Sequence, residues 1–139
     1  MKYLKVPEGA AKLFPCGQLE TTEILIKAFQ DVIPQLVTAL NTCPNIGEAV
    51  GLKEHPAVFH YTHSYNTDIY ICEYDRRDTF YGFHIFGGNL EKASWNFLSL
   101  SKIISIPHIR FDFSFSTETI EAARYKKYPY YFKKPNSLM

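Results

Sequence analysis

Apolar and polar residues alternate with a period of two in four stretches of this chain, and with a helical period in one. In residues 57–63, Ala57, Phe59, Tyr61 and His63 alternate with Val58, His60 and Thr62. In 68–74, Ile69 and Ile71 alternate with Tyr70, Cys72 and Tyr74. In 79–86, Phe80, Gly82, His84 and Phe86 alternate with Tyr81, Phe83 and Ile85. Successive side chains of a strand point to opposite faces, and β-branched and aromatic residues suit that geometry, so each run predicts a strand. The clearest alternation comes last: Ile109, Phe111, Phe113 and Phe115 against Arg110, Asp112, Ser114 and Ser116. It predicts a half-buried strand with one aromatic face.

The helical period begins near Thr22. Leu25, Phe29, Val32, Leu36 and Leu40 repeat at three- and four-residue intervals, which places them on one helix face. Pro34 cannot donate to the helix ladder. It marks either a kink or a fresh start, and the unbroken phase of the stripe favours the kink. Thr21 or Thr22 is placed to cap this helix.

Turn residues separate the runs. Asp75-Arg76-Arg77-Asp78 has no apolar anchor and reads as a solvated hairpin turn, and Gly87-Gly88-Asn89 tolerates positive φ. Asn45 and Glu48 have the spacing of a helix-start capping pair and predict one short helical turn to Leu52. Ser99 is placed to cap a short helix running to about Ser105, and Thr117 a second one through Glu118, Glu121 and Arg124. The expected fold is α+β. An antiparallel sheet of four to five strands carries one long N-terminal helix, over 22–40, packed on one face. An irregular arm, 1–20, precedes it, and a basic aromatic tail, 124–139, follows.

Composition narrows the class. The chain has 139 residues, 46% of them hydrophobic and 21% charged, a globular balance that fits one domain. A net charge of +1 gives no global drive toward nucleic acid or a membrane surface. No apolar run reaches the roughly 20 residues needed to span a bilayer, and the N-terminus lacks the apolar stretch of a signal peptide. Cys16, Cys43 and Cys72 are odd in number and show no CxxC spacing. A reducing, cytoplasmic setting is therefore expected.

Candidate chemistry is sparse. His60 and His63 lie three apart on a strand and face opposite ways, so one metal ion is not gripped by both. His60-Tyr61-Thr62 has the His-x-Thr form of the two-histidine phosphoesterases, but His84 and His108 each lack the Thr of a second copy. Glu73, Asp75 and Asp78 are three carboxylates close in sequence, without the Gly and distal Glu of a calcium loop. His60, Glu73 and Asp75 form the candidate set for a metal-assisted hydrolase. Gly87-Gly88 opens no phosphate-binding helix with a Lys, and no cofactor or bound metal is expected. In the tail, Arg124, Lys126, Lys127, Lys133 and Lys134 surround Tyr130 and Tyr131. That mixture suits single-stranded nucleic acid, with phosphates neutralised and bases stacked. The alternative is a packed arm with its lysines in water.

The run Tyr70…Glu73-Tyr74-Asp75…Phe80-Tyr81-Gly82…Gly87…Glu91…Trp95…Phe97-Leu98-Ser99-Leu100 resembles an uncharacterised bacterial family, the domain of unknown function numbered twenty-nine fifty-eight, over residues 68–105. The resemblance implies a gene of plasmids, conjugative elements or phages with no assigned activity, and supplies no catalytic residue. Together these readings predict recognition without catalysis. The expected protein is a small accessory factor of a mobile element that binds a host protein or ribonucleoprotein complex, for instance to inhibit a defence nuclease.

Overall fold

Four of the five strands are neighbours both in sequence and in space. In the computed structural model, which describes residues 11–15, 32–64, 66–114 and 117–138, β1 (Phe59–His63), β2 (Thr67–Tyr74), β3 (Thr79–Ile85) and β4 (Ser94–Ser99) form an antiparallel meander. β5 (Arg110–Phe111) returns to pair with β1, giving the order β4-β3-β2-β1-β5. Helix α1 (Val32–Thr42) precedes the sheet, α2 (Leu100–Ile104) follows β4, and α3 (Ile120–Lys127) follows β5.

The turns form for identifiable reasons. The Asp75 carboxylate accepts the backbone N–H groups of Arg77 at 2.7 Å and Thr79 at 3.0 Å, closing the β2–β3 hairpin. Gly87 and Gly88 take φ of +59° and +70° after β3. Ser99 ends β4 and caps α2 by accepting the Lys102 N–H, as its position predicts. The register of β2 on β3 slips between Ile71 and Glu73, a bulge that inserts Cys72. Opposite the bulge, a Cβ on Gly82 would stand 1.9 Å from the Tyr70 carbonyl oxygen, so only glycine fits there.

Both faces of the sheet are covered. On the first, Phe59, Tyr61, Ile69, Ile71, Tyr74 and Phe80 pack under Leu13, Phe14, Leu36, Leu100 and Ile103. On the second, Tyr70, Cys72, Phe83 and Ile85 pack under Ala49 and Ile120, with Tyr128 and Phe132 at the margin. The central strand β2 is consequently buried along its whole length.

Several expectations are corrected. The helix drawn over 22–40 is an eleven-residue helix in the described residues, with Leu36 its buried contact; positions 22–31 lie outside the described residues. The arm is not merely irregular, because Leu13 and Phe14 are core residues and the Leu13 carbonyl accepts the Tyr61 hydroxyl at 2.6 Å. Of the strand expected over 109–116, the described residues pair at Arg110 and Phe111, with the Asp112 N–H also reaching the His60 carbonyl at 2.8 Å; positions 115 and 116 lie outside the described residues. The Asp112 side chain then accepts the Ser114 N–H at 2.9 Å, a local turn that ends the pairing among the described residues. Residues 45–52 form linked turns in place of a helical turn. The cap of α3 is Thr119, not Thr117. The β2–β3 turn is not wholly solvated: Arg76 reaches inward to the carbonyls of Leu40, Cys43 and Tyr74.

Candidate functional site

The main cluster of titratable side chains gathers around His60 on the second face of the sheet. Its Nδ1 lies 2.8 Å from Asp112 Oδ2, and its Nε2 lies 2.7 Å from Asp68 Oδ1. Asp68 also accepts Lys127 Nζ from α3, and the imidazole stacks on Tyr70 at 4.6 Å. Burial pulls the His60 pKa down, but the Asp112 and Asp68 carboxylates outweigh it and hold the pKa above the usual value. The bond to His60 is the main cause that pushes Asp112 down to about 2. Burial works against ionised Asp68, yet bonds from His60 and Lys127 keep its pKa low. Both ring nitrogens lie within hydrogen-bond reach of carboxylates, so each is already engaged by the fold. The group borders a cavity of about 150 Å³ lined also by Ser114, Glu118 and Ala123.

Glu73 and Asp75 do not join His60. Glu73 is buried and accepts the N–H groups of Gly47 at 3.0 Å and Ala49 at 2.7 Å, which braces the turns of 45–52 from below. Asp75 is spent on the hairpin turn, where bonds from Thr79 and Arg77 overcome burial and lower its pKa. The third acid, Asp78, accepts Ser99 Oγ and the Ser101 N–H at the start of α2. Among the described residues, no three His, Cys, Asp or Glu side chains are grouped to hold a metal ion. Burial pushes the Cys43 and Cys72 thiols up to about 12, the behaviour of apolar core residues; Cys16 lies outside the described residues.

The tail residues separate into two groups. Arg124 lies over Phe83 at 4.8 Å and Phe132 at 4.9 Å, roofing the second core. Lys126 pairs with Glu118 at 2.7 Å and Lys127 with Asp68. Tyr130, Tyr131, Lys133 and Lys134 instead face solvent.

Sequence reasoning named His60, and Lys127 as a phosphate contact, but missed Asp68 and Asp112, which pair with them. The available signal was Asp68 itself, one of two carboxylates, with Glu73, in a largely apolar strand. Also missed was the clasp in which Glu121 accepts the His55 N–H at 2.7 Å while the His55 ring lies against Trp95.

Large apolar side chains remain exposed at two places near the second face. Ile46, Val50 and Leu52 project from the turns braced by Glu73, with Val50 73% exposed. Phe97 on β4 is 64% exposed, beside Tyr81 at 5.1 Å. No helix among the described residues is long and apolar enough to cross a membrane. Comparison with known protein families, curated proteins and solved structures finds no match, so the resemblance over 68–105 gains no support from them.

Proposed function

We propose that this chain is a small non-catalytic accessory protein that binds a host protein or ribonucleoprotein complex in the cytoplasm. The mobile-element setting, and inhibition of a defence nuclease as the outcome of binding, rest on the family resemblance alone. One observation carries the binding reading: the apolar trio Ile46, Val50 and Leu52 is presented on a braced turn. Glu73 holds Gly47 and Ala49 by their backbone N–H groups, Asn45 accepts Arg76 Nη1 at 2.6 Å, and Ala49 is buried beneath. A turn fixed before contact loses little conformational entropy on binding, and exposed apolar side chains supply the contact area. The catalytic candidates His60, Glu73 and Asp75 spend their polar atoms on the fold, which favours recognition over the metal-assisted hydrolase.

The test is capture from host lysate by tagged wild type and by a Val50→Asp, Leu52→Asp double variant. A specific partner retained by wild type and lost by the variant, at equal thermal stability, supports the proposal; capture indifferent to both changes refutes it. Cleavage of RNA, DNA or cyclic nucleotides by purified protein with divalent metal, abolished by His60→Ala, would establish the hydrolase instead.

A second reading rests on the exposed Tyr130, Tyr131, Lys133 and Lys134, which offer stacking rings and cations to single-stranded nucleic acid. With two lysines free to meet phosphate, the log–log salt slope of binding is about −1.4. A slope near −3 would require Lys126 and Lys127 to leave their carboxylates as well.

A further inference from the structure

The outer edge of β4 carries a second, independent surface. Leu100 donates its backbone N–H to the Asp78 carbonyl at 2.8 Å. Antiparallel ladders alternate inward- and outward-facing backbone groups, so Leu98, Asn96 and Ser94 bond inward to Phe80, Gly82 and His84. The Asp75 N–H to the Thr79 carbonyl, at 3.1 Å, fixes the same parity from the other side of β3. Trp95 and Phe97 must then turn their backbone N–H and C=O groups away from the sheet. β4 is the edge strand, and no hydrogen bond from another described residue reaches those groups.

Sheet edges are ordinarily protected by charge, proline or brevity. β4 has six residues, Ser-Trp-Asn-Phe-Leu-Ser, without a charge or a proline, and Phe97 stands exposed at its centre. We propose that β4 is a self-association edge: two copies of this chain pair it antiparallel, joining two five-stranded sheets into one. A two-fold axis beside Asn96 sets Trp95 opposite the partner's Phe97, and Phe97 opposite the partner's Trp95. Both are outward-facing positions, so each pair exchanges backbone hydrogen bonds. The aromatic rings meet on the second face as cross-strand pairs, extending the row of Tyr81, Trp95 and Phe97.

A second copy fits this edge better than other occupants. An uncharged strand offers nothing to a phosphate backbone. The opposite edge of the sheet, β5, is two residues long among the described residues, so β4-to-β5 pairing of successive copies would be short and would not close. Pairing β4 with itself is isologous and closes after two chains. The occupant needs an extended, uncharged segment with outward backbone groups and aromatic side chains on one face, and β4 is such a segment.

The test is mass by analytical ultracentrifugation across a concentration series, with Trp95, the sole tryptophan, as a fluorescent reporter. Wild type rises from 16.1 kDa toward twice that mass, with a blue shift in emission. Phe97→Lys and Phe97→Glu each stay at the single-chain mass with unchanged thermal unfolding, because an exposed side chain is replaced. Mixed in equal amounts, the two variants regain the doubled mass, and added salt takes it away. Wild type at single-chain mass throughout, a doubled mass insensitive to both variants, or growth to larger species overturns the proposal. A single-chain wild type whose captured host protein is lost on Phe97→Lys would reassign the edge to a foreign strand, overturning self-pairing equally.

Discussion

Replacing Arg76 tests how the hairpin turn is tied to the body of the protein. Arg76 sits in the β2–β3 turn with φ of +63°, a conformation that costs most residues about 1–2 kcal/mol. Its guanidinium offsets that strain. Nη2 donates to the carbonyls of Leu40, at 3.0 Å, and Cys43, while Nη1 donates to the Tyr74 carbonyl at 2.7 Å and to Asn45 Oδ1. Leu40 lies in the last turn of α1, where carbonyls lack helical partners and the helix dipole favours a cation. Hydrogen bonds to charged groups contribute about 1.5–3 kcal/mol when buried. Arg76 is half-buried and water can replace part of what it gives. Taking about 1 kcal/mol for each of the three backbone acceptors, Arg76→Ala costs about 3 kcal/mol. For a chain of this length that lowers Tm by about 10 °C. Arg76→Gly also relieves the positive φ and so loses about 1 kcal/mol less than alanine. Arg76→Lys keeps the charge but not the fork, and falls between wild type and alanine. Arg77→Ala, at an exposed position of the same turn, changes stability by less than about 0.5 kcal/mol. Urea denaturation followed by Trp95 fluorescence, with unchanged m-values, measures each difference. Equal losses for Arg76→Ala and Arg77→Ala would show that the inward bonds contribute nothing and refute the reasoning.

Two further outcomes follow from the sheet. Gly82→Ala forces a methyl group against the Tyr70 backbone at 1.9 Å, which no rotamer relieves, and costs at least about 3 kcal/mol, whereas Gly51→Ala, with open space around it, stays within about 0.5 kcal/mol; comparable denaturation midpoints would mean that the two strands separate freely. For His60, the folded pKa lies above its usual 6.5, so its stabilisation is complete below that value and is lost as pH rises through the folded pKa. Asp112, held at about 2 against a usual 3.8, stabilises above 3.8 and loses that contribution as pH falls toward 2. The stability difference between wild type and His60→Gln is therefore largest between these limits and shrinks on both sides; a difference independent of pH would rule out the charged cluster.

Strand β4 was not among the predicted alternating runs; strands β1 to β3 were legible because apolar and polar positions alternate in them and the turns around them carry Asp, Gly and Ser where local bonds need them. Ser99 was found as a cap for the same reason: its partner, Lys102, lies three residues away. What escaped depends on groups distant in sequence. His60 meets Asp112 across 52 residues and Lys127 meets Asp68 across 59, and no local pattern announces either pairing. Arg76 was read as solvated because four consecutive charges look like a surface turn; the helix end that draws it inward is brought there only by the fold. The tail misled in part because basic and aromatic residues suit a nucleic-acid surface and a packed cation–aromatic roof equally well. Arg124 belongs to the roof, while Tyr130 and Tyr131 remain outside it.

The route of the chain through the sheet sets an order of events in time. β1 to β4 pair with sequence neighbours, so their loops close early and at small entropic cost. β5 finds β1 only after the whole meander has passed, and Glu121 reaches His55 across 66 residues. Long closures contribute late, so the meander is the part that folds first and the β5–α3 segment docks onto it. On unfolding the seam parts first, releasing the amides of Ala57, Asp112 and Ile120, which bond across it. Hydrogen exchange at those three sites would then run ahead of the central strands. Lifting α3 also removes Arg124 from above Phe83 and uncovers the aromatic second face while β1 to β4 are still paired. A form with this seam parted would display the aromatic second face without global unfolding.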